Sequence, residues 1–232
     1  MLTGGSVMIG SLYWEDEHNA PGAQLGRLKR LWRQELDLSR QAFCPAPIRY
    51  GMQSARRWDT YTMVFSATAP VGQGVRAPFR ASVGSADALL AQARRLGKAE
   101  GYAEGGATDP LYSAWGLVAV VWHPRHQAGT NPWKNAWRSA FADFGHHHQY
   151  RTGDETPCVN EWGEFTLPLP VPNDLDYLLV TPNVPNVCAY PGPAELARAI
   201  RESTTGYDTY LRKNIHYGLR ATGDQEALSW LF

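Results

Sequence analysis

Apolar residues follow two different spacings along the chain, one typical of helices and the other typical of strands. Spacings of three and four residues predict helices over 25–36, 85–96, 132–144, 193–203 and 207–222. Runs rich in β-branched and aromatic residues, bounded by Gly, Pro, Asp and Ser, predict strands over 6–12, 47–51, 60–67, 74–83, 113–124, 164–172 and 176–182. The polar stretch 146–162 is expected to be a loop.

Capping residues mark the ends of several predicted helices. Ser85 is the expected N-cap of the helix over 85–96, which is predicted to stop at Gly97. Asn131-Pro132 supplies an N-cap and a first-turn proline for the next helix. In the helix over 25–36, the leucines and Trp32 are expected to form the buried face, with the basic residues Arg27, Lys29, Arg30 and Arg33 mostly elsewhere.

Strands and helices do not alternate in the regular βαβ order of a doubly wound sheet. The order predicts an α+β protein with a mostly antiparallel, barrel-like sheet and flanking helices, and the length favours one domain over 1–232. The "GQGVR" glycines (72–76) are not followed by a helix, so neither a P-loop nor a dinucleotide fingerprint is present.

Charge and composition narrow the classes of partner. The 22 basic and 22 acidic side chains cancel, so no overall field attracts nucleic acid or an anionic membrane. The apolar stretch 114–122 is shorter than the roughly 20 residues of a spanning helix. Three widely spaced cysteines and an N-terminus without signal-peptide character favour the reducing cytoplasm. We therefore expect the partner to be a small molecule or a protein.

Two segments carry residues with candidate chemistry. Gly10-Ser11-Leu12 ends a predicted strand, where glycine allows close backbone approach and successive amides can face an anion or a carbonyl oxygen. An ordinary strand-to-loop turn is the alternative. Glu100 follows a predicted helix, and partial burial against Tyr102 and Trp115 would suit a general base, whereas a solvated loop glutamate is the alternative.

The histidines 146–148 form a third candidate cluster. His146 and His148 would point the same way from an extended segment, and Asp143, Asp154 and Glu155 are possible further ligands for a metal ion. A solvated loop at a helix end is the alternative, because the helix dipole favours histidine there.

Short motifs resemble those of the γ-glutamylcyclotransferase-like superfamily. The segment "IGSL" (9–12) is similar to its N-terminal Tyr-Gly-Ser motif, and "LGKAEG" (96–101) is similar to its Leu-Asp-x-x-Glu-Gly motif. Ile9 and Gly97 stand where the family usually has tyrosine and aspartate. The segments "PIRYGMQSARR" (47–57) and 204–231 extend the resemblance, whereas about 125–192 has no counterpart and is interpreted as an insertion.

The resemblance implies a reaction and a set of site residues. A γ-glutamyl amine or peptide would be cyclised to 5-oxoproline without a cofactor or metal, with Glu100 as general acid/base. The implied substrate-binding residues are Gly10, Ser11, Leu12, Ser54, Arg57 and Tyr112. A binding module without turnover on the same fold, with a protein partner at 125–192, is an alternative of a different class. A metal-dependent hydrolase built on the histidine cluster is a third.

Overall fold

The computed structural model describes residues 1–103, 109–126 and 131–232. The described strands are β1 (Gly4–Met8), β2 (Ala42–Ser54), β3 (Thr60–Phe65), β4 (Val71–Pro78), β5 (Ala119–Trp122) and β6 (Tyr177–Val180). The described helices are α1 (Ser11–Trp14), α2 (Ala23–Arg33), α3 (Ala86–Glu100), α4 (Pro132–Ala140), α5 (Pro193–Glu202), α6 (Thr209–His216) and α7 (Asp224–Ser229).

The strands form one mixed sheet in the order β3-β2-β4-β1-β6-β5. Neighbours are antiparallel except β1 and β6, which run parallel. The sheet curls into a half-barrel with helices at its flanks, so the predicted α+β class with a mostly antiparallel sheet is confirmed. Strand β6 lies within 125–192, so this segment supplies an interior strand of the sheet.

Strand β2 bends so that its two halves pair with different partners. Residues 42–47 pair with β4, and residues 48–54 pair with β3. The register shifts between Tyr50 and Met52, and a Cβ on the intervening Gly51 would collide with Val64. A bulge of this kind increases local twist and redirects the strand. It thereby sets the direction of the end of β2, which carries Ser54.

Helix α3 packs on the sheet through the face that its sequence predicts. Leu89, Ala93 and Leu96 are buried, and the Ser85 hydroxyl accepts a hydrogen bond from the Ala88 amide at the N-cap. The prediction that α3 stops at Gly97 is wrong. The helix continues to Glu100 and ends at Gly101, whose φ of 93° is left-handed.

Gly97 has a packing role instead of a terminating one. A Cβ at this position would collide with the carbonyl of Pro110, which crosses the helix there. No side chain larger than hydrogen fits, an aspartate included. Glu100 therefore belongs to the last turn of α3, and it is not the loop residue that the sequence predicts.

Helix α2 buries a different face from the predicted one. Its buried residues are Gly26, Lys29 and Trp32, whereas Leu28 and Leu31 are 36% and 42% exposed. A Cβ on Gly26 would collide with the Asp16 carbonyl, so the helix approaches the preceding loop closely. The reason that a lysine faces inward is its buried ion pair with a carboxylate, described below.

Several predicted strands are shorter than expected or absent, three of them by a wide margin. The first ends at Met8, because Gly10 adopts a left-handed φ of 63° and α1 starts at Ser11. The strand predicted over 113–124 is reduced to β5. Residues 164–172 form only isolated bridges at Glu164 and Phe165, and their prolines lack the amide that a ladder needs. No helix within the described ranges is long and apolar enough to span a membrane.

The C-terminal helices enclose a small buried polar cluster. Asn214 of α6 accepts a hydrogen bond from the Trp14 indole at 2.8 Å, and Asp224 of α7 accepts one from the Ala221 amide at 2.8 Å. The Tyr50 hydroxyl and the Asp224 carboxylate interact in this cluster, but neither Tyr50 Oη nor Asp224 Oδ1 has a hydrogen-bond partner of good geometry among the described residues. Burial raises the pKa of Asp224 to about 6.

The raised pKa of Asp224 makes its ionisation unfavourable for folding. The cost is absent below the unfolded pKa of about 3.8, grows as pH rises, and is complete above about 6. We expect Asp224→Asn to raise the free energy of unfolding by roughly 2 to 3 kcal/mol at pH 7.5. Melting curves from pH 4 to 8 should diverge toward neutrality, whereas the exposed Asp154→Asn control should match wild type. A pH-independent offset for Asp224→Asn would contradict this expectation.

Candidate active site

A cavity of about 640 Å³ opens where α1, α2, α3 and the end of β2 meet. Its volume lies within the roughly 300 to 1,000 Å³ typical of small-molecule sites. The polar and charged residues that line it include Ser11, Glu15, Lys29, Ser54, Arg57 and Glu100. These six come from four separate parts of the chain, and the fold brings them to one place.

Four of the seven residues named from the sequence line this cavity. Ser11 begins α1, Ser54 ends β2, Arg57 lies in the turn that follows, and Glu100 ends α3. The other three occupy different positions. Gly10 packs against the Tyr210 hydroxyl, which leaves no room for a Cβ.

Leu12 and Tyr112 lie outside the lining of the cavity. Leu12 is buried in the core directly after Ser11. Tyr112 packs between the rings of Phe141 and Phe144, with ring centroids 5.5 and 5.3 Å away. Tyr112 thus has a packing role, and the chemistry proposed below does not use it.

A buried ion network forms the floor of the cavity. The Glu15 side chain is 1% exposed and accepts hydrogen bonds from Lys29 Nζ at 2.8 Å and from Arg57 Nη2. Burial alone would raise the pKa of Glu15, but the charges and hydrogen bonds of Lys29 and Arg57 lower it to about 2. Glu15 is therefore ionised and compensates two buried cations.

Sequence reasoning missed Glu15 and Lys29. Glu15 lies in the acidic run "WEDEHN" (14–19), which has the composition of a solvated loop. Lys29 interrupts an otherwise leucine-rich helix, and its inward position follows only from a carboxylate that another segment supplies. The sequence signal that could have identified Lys29 is the imperfect apolar stripe on α2, where the residues at 26, 29 and 32 share one face.

The Ser11 hydroxyl is held by both cations of the network. Its Oγ accepts from Lys29 Nζ at 2.7 Å and from Arg57 Nη2 at 3.0 Å. A serine hydroxyl has two acceptor lone pairs and one proton to donate. Because both lone pairs are engaged, the proton is the part of Ser11 that remains for a ligand oxygen.

Glu100, at the end of α3, also approaches Lys29. Its side chain is 12% exposed, Oε1 accepts from Thr181 Oγ1 at 2.8 Å, and Oε2 lies 3.8 Å from Lys29 Nζ. A carboxylate at the C-terminal end of a helix is disfavoured by the helix dipole. Glu100 therefore does not stabilise α3 by its charge, whereas Thr181 after β6 orients its carboxylate toward the cavity.

The turn that carries Arg57 is anchored by aromatic side chains. Trp58 and Asp59 adopt left-handed φ angles of 51° and 61°, which are uncommon for residues other than glycine. The Trp58 ring packs on Tyr207 with a centroid separation of 4.8 Å. The Arg57 guanidinium lies 5.1 Å from the centroid of the Tyr210 ring. These contacts fix the guanidinium beside Glu15.

The histidine cluster lies away from the cavity. Residues His147–Gln149 form a single 3₁₀ turn, and the Glu155 carboxylate is engaged by Ser66, Thr68, Thr152 and Tyr190. Within the parts of the chain that the structure describes, no three His, Cys, Asp or Glu side chains are grouped to hold a metal ion. The proposed chemistry therefore rests on the cavity.

Comparisons with known proteins return no relative of this chain: no family model, curated protein or solved structure matches it.

Proposed function

We propose that the chain is a cyclotransferase that converts a γ-glutamyl amide into 5-oxoproline and a free amine, with Glu100 as general acid/base. The observation that carries this proposal is the convergence of Ser11, Ser54, Arg57 and Glu100 on one cavity. These residues belong to three separate segments that resemble the γ-glutamylcyclotransferase-like superfamily. One cavity that contains residues from all three segments supports the reaction that the resemblance to this superfamily implies.

The reaction needs a base, an acid and a fixed substrate conformation. Glu100 accepts a proton from the α-amino group, whose nitrogen attacks the γ-carbonyl carbon and forms the lactam C–N bond. The C–N bond to the leaving amine breaks as that nitrogen takes a proton from Glu100. The α-ammonium loses two protons and the released ammonium gains two, so neither water nor a cofactor enters the balance.

The polar groups around Glu100 suit the oxygens of such a substrate. The Ser11 hydroxyl donates to a carboxylate or carbonyl oxygen, because its lone pairs are engaged by Lys29 and Arg57. Of the amides over 10–12 to which the resemblance gives the same role, only that of Ser11 belongs to a residue that lines the cavity. Donors held in place before the substrate arrives stabilise developing negative charge without reorganisation.

The same hydrogen bonds argue against Ser11 as a nucleophile. Attack on a carbonyl requires an oxygen lone pair and a base that removes the hydroxyl proton. Both lone pairs of Ser11 Oγ accept from cations, and the lysine beside it is ion-paired with Glu15. An intramolecular attack by the substrate's own amine needs neither a free lone pair on Ser11 Oγ nor a base that removes the Ser11 proton.

Mass detection of 5-oxoproline tests the proposal directly. The purified chain is incubated with a panel of γ-glutamyl amides and γ-glutamyl dipeptides, and binding of the same compounds is followed by calorimetry. Release of 5-oxoproline above the spontaneous rate supports the enzyme. Binding without release would favour the non-catalytic binding module instead. If the chain neither bound nor cleaved these compounds, both interpretations would be wrong.

A further inference from the structure

The segment that follows β6 contributes two polar side chains to the cavity. Thr181 and Asn183 both line it, and residues two apart in an extended segment face the same side. The Thr181 hydroxyl donates to Glu100 Oε1 at 2.8 Å. Asn183 is therefore presented to the cavity on the same side of the segment as the contact with Glu100.

The main chain at Asn183 is fixed by pairing with another segment of the chain. Hydrogen bonds of 2.9 and 3.0 Å link 182–184 to 115–117, and Asn183 lies opposite Gly116 in an antiparallel bridge. A group that acts on a substrate must be held in place before the substrate arrives. The main chain of Asn183 meets this requirement.

The side-chain oxygen of Asn183 is engaged with the protein interior. Oδ1 accepts a hydrogen bond from the Tyr102 hydroxyl at 3.0 Å, and Tyr102 is fully buried. A Cβ on Gly116 would lie 2.6 Å from this oxygen and 2.7 Å from the hydroxyl, so their contact requires a glycine there. Burial, together with the charge of Glu100, raises the pKa of Tyr102 well above its usual value. The hydroxyl therefore keeps the proton that it donates.

The amide nitrogen of Asn183 is the part of the side chain that remains for a ligand. With Oδ1 engaged in the interior, Nδ2 forms the other edge of the planar amide and carries two N–H groups. Within the described residues Nδ2 donates to no acceptor, and Asn183 is partly exposed where it lines the cavity. The fold thus orients this donor through the Tyr102 hydroxyl without using it.

The proposed reaction develops negative charge on an oxygen near Glu100. In the tetrahedral intermediate, the attacking nitrogen, the leaving nitrogen and the former carbonyl oxygen are all bonded to one carbon. Because Glu100 exchanges protons with both nitrogens, this oxygen lies near Glu100 whichever end of the substrate faces α2. Ser11 supplies only one hydroxyl proton, and an oxyanion accepts from more than one donor.

We propose that Asn183 is a catalytic residue whose side-chain amide donates a hydrogen bond to the γ-carbonyl oxygen as that oxygen becomes an oxyanion. This inference rests on the proposed function, and it adds a substrate-contacting residue that the sequence did not indicate. The feature that carries it is an amide beside the Thr181–Glu100 contact that is oriented by a buried tyrosine and has no acceptor among the described residues.

Two variants separate this role from a structural one. Asn183→Asp keeps the size of the side chain and the acceptor for Tyr102 but loses the amide donor, and Asn183→Ala loses both without adding a charge. We expect both to lower kcat for 5-oxoproline release by about 10²- to 10³-fold and to change KM far less, because the lost bond acts mainly in the transition state. If Asn183 served only as the acceptor for Tyr102, Asn183→Asp would keep the wild-type kcat, and that result overturns the inference.

The control is Asn135→Ala, because Asn135 is exposed on α4 outside the lining of the cavity and should retain full activity. If melting curves show Asn183→Asp to be unfolded at the assay temperature, the division between kcat and KM in Asn183→Ala decides. A loss confined to KM would place the amide on a part of the substrate that does not react, and it also overturns the inference. No release by wild type from any γ-glutamyl compound overturns the cyclotransferase and the inference together.

Discussion

Glu100→Gln is expected to lower kcat for 5-oxoproline release by about 10²- to 10⁴-fold, the usual contribution of a general acid/base. The amide retains the size of the side chain and an oxygen that can accept from Thr181 Oγ1, but it neither takes nor gives the proton. Substrate affinity is expected to change far less than kcat, because the variant removes one charge and no packing. The melting temperature should stay close to that of wild type.

The control for this variant is Glu202→Gln. Glu202 also ends a helix, but it is exposed and lies outside the lining of the cavity. It should retain full activity. If Glu100→Gln turned over as fast as wild type, the proton-transfer role of Glu100 would be wrong even though the cavity bound the substrate.

Glu15→Gln is expected to cost about 3 to 5 kcal/mol in the free energy of unfolding at neutral pH. The variant leaves Lys29 and Arg57 buried without their shared counter-charge, and breaking one side of a buried ion pair is strongly destabilising. Glu17→Gln is the matched control two residues away. The Glu17 pair with Arg30 is partly exposed, and we expect little change in stability from its loss.

The pH dependence of the Glu15 effect follows from its lowered pKa. The folded value of about 2 lies below the unfolded value of 4.5, so the stabilisation is fully present above about 4.5 and is lost as pH falls toward 2. The shift corresponds to roughly 3 kcal/mol. Denaturant unfolding of wild type and Glu15→Gln should therefore converge at low pH. A gap that stayed constant with pH would show that Glu15 contributes through packing alone.

The starts of the helices with an N-cap signal were predicted well from the sequence. Ser85 and Asn131 cap α3 and α4 as expected, because N-capping is a local interaction between a side chain and an amide two or three residues later. The class of the sheet also followed from the absence of βαβ alternation. The capping contacts lie within a few residues along the chain, which is why local sequence predicts them.

The errors arise where a distant segment decides the local structure. Gly97 is a residue type that often ends a helix, but a glycine is required there because the Pro110 carbonyl crosses the helix at this position. Lys29 faces inward because Glu15 from another element compensates it, and Leu28 is correspondingly turned outward. The contact with Pro110 leaves no signal in the local periodicity, and the contact with Glu15 leaves only an imperfect apolar stripe on α2. The candidate site therefore shows motif residues that sequence reasoning found and an ion network that it missed.

The parallel pairing of β1 with β6 has a consequence for the order of folding. These strands are joined by contacts 173 residues apart, such as the hydrogen bond from Ser6 Oγ to the Leu179 carbonyl. Contacts of such long sequence separation slow folding, because the chain entropy of closing the loop is lost before the contact forms. Because β4 precedes β6 along the chain, we expect β1 to pair first with β4 during synthesis and to keep one open edge until β6 has left the ribosome.

An open edge in the middle of the sheet is a template for other chains. A nascent or truncated chain that ends before Tyr177 presents the unpaired side of β1. It also lacks Thr181, whose hydroxyl donates a hydrogen bond to the Glu100 carboxylate in the complete fold. Such chains should aggregate, and they should lack the oriented carboxylate. The strand that closes the open edge of β1 is followed directly by the residue that orients Glu100, so the edge is covered and the Glu100 carboxylate is positioned in the same step of folding.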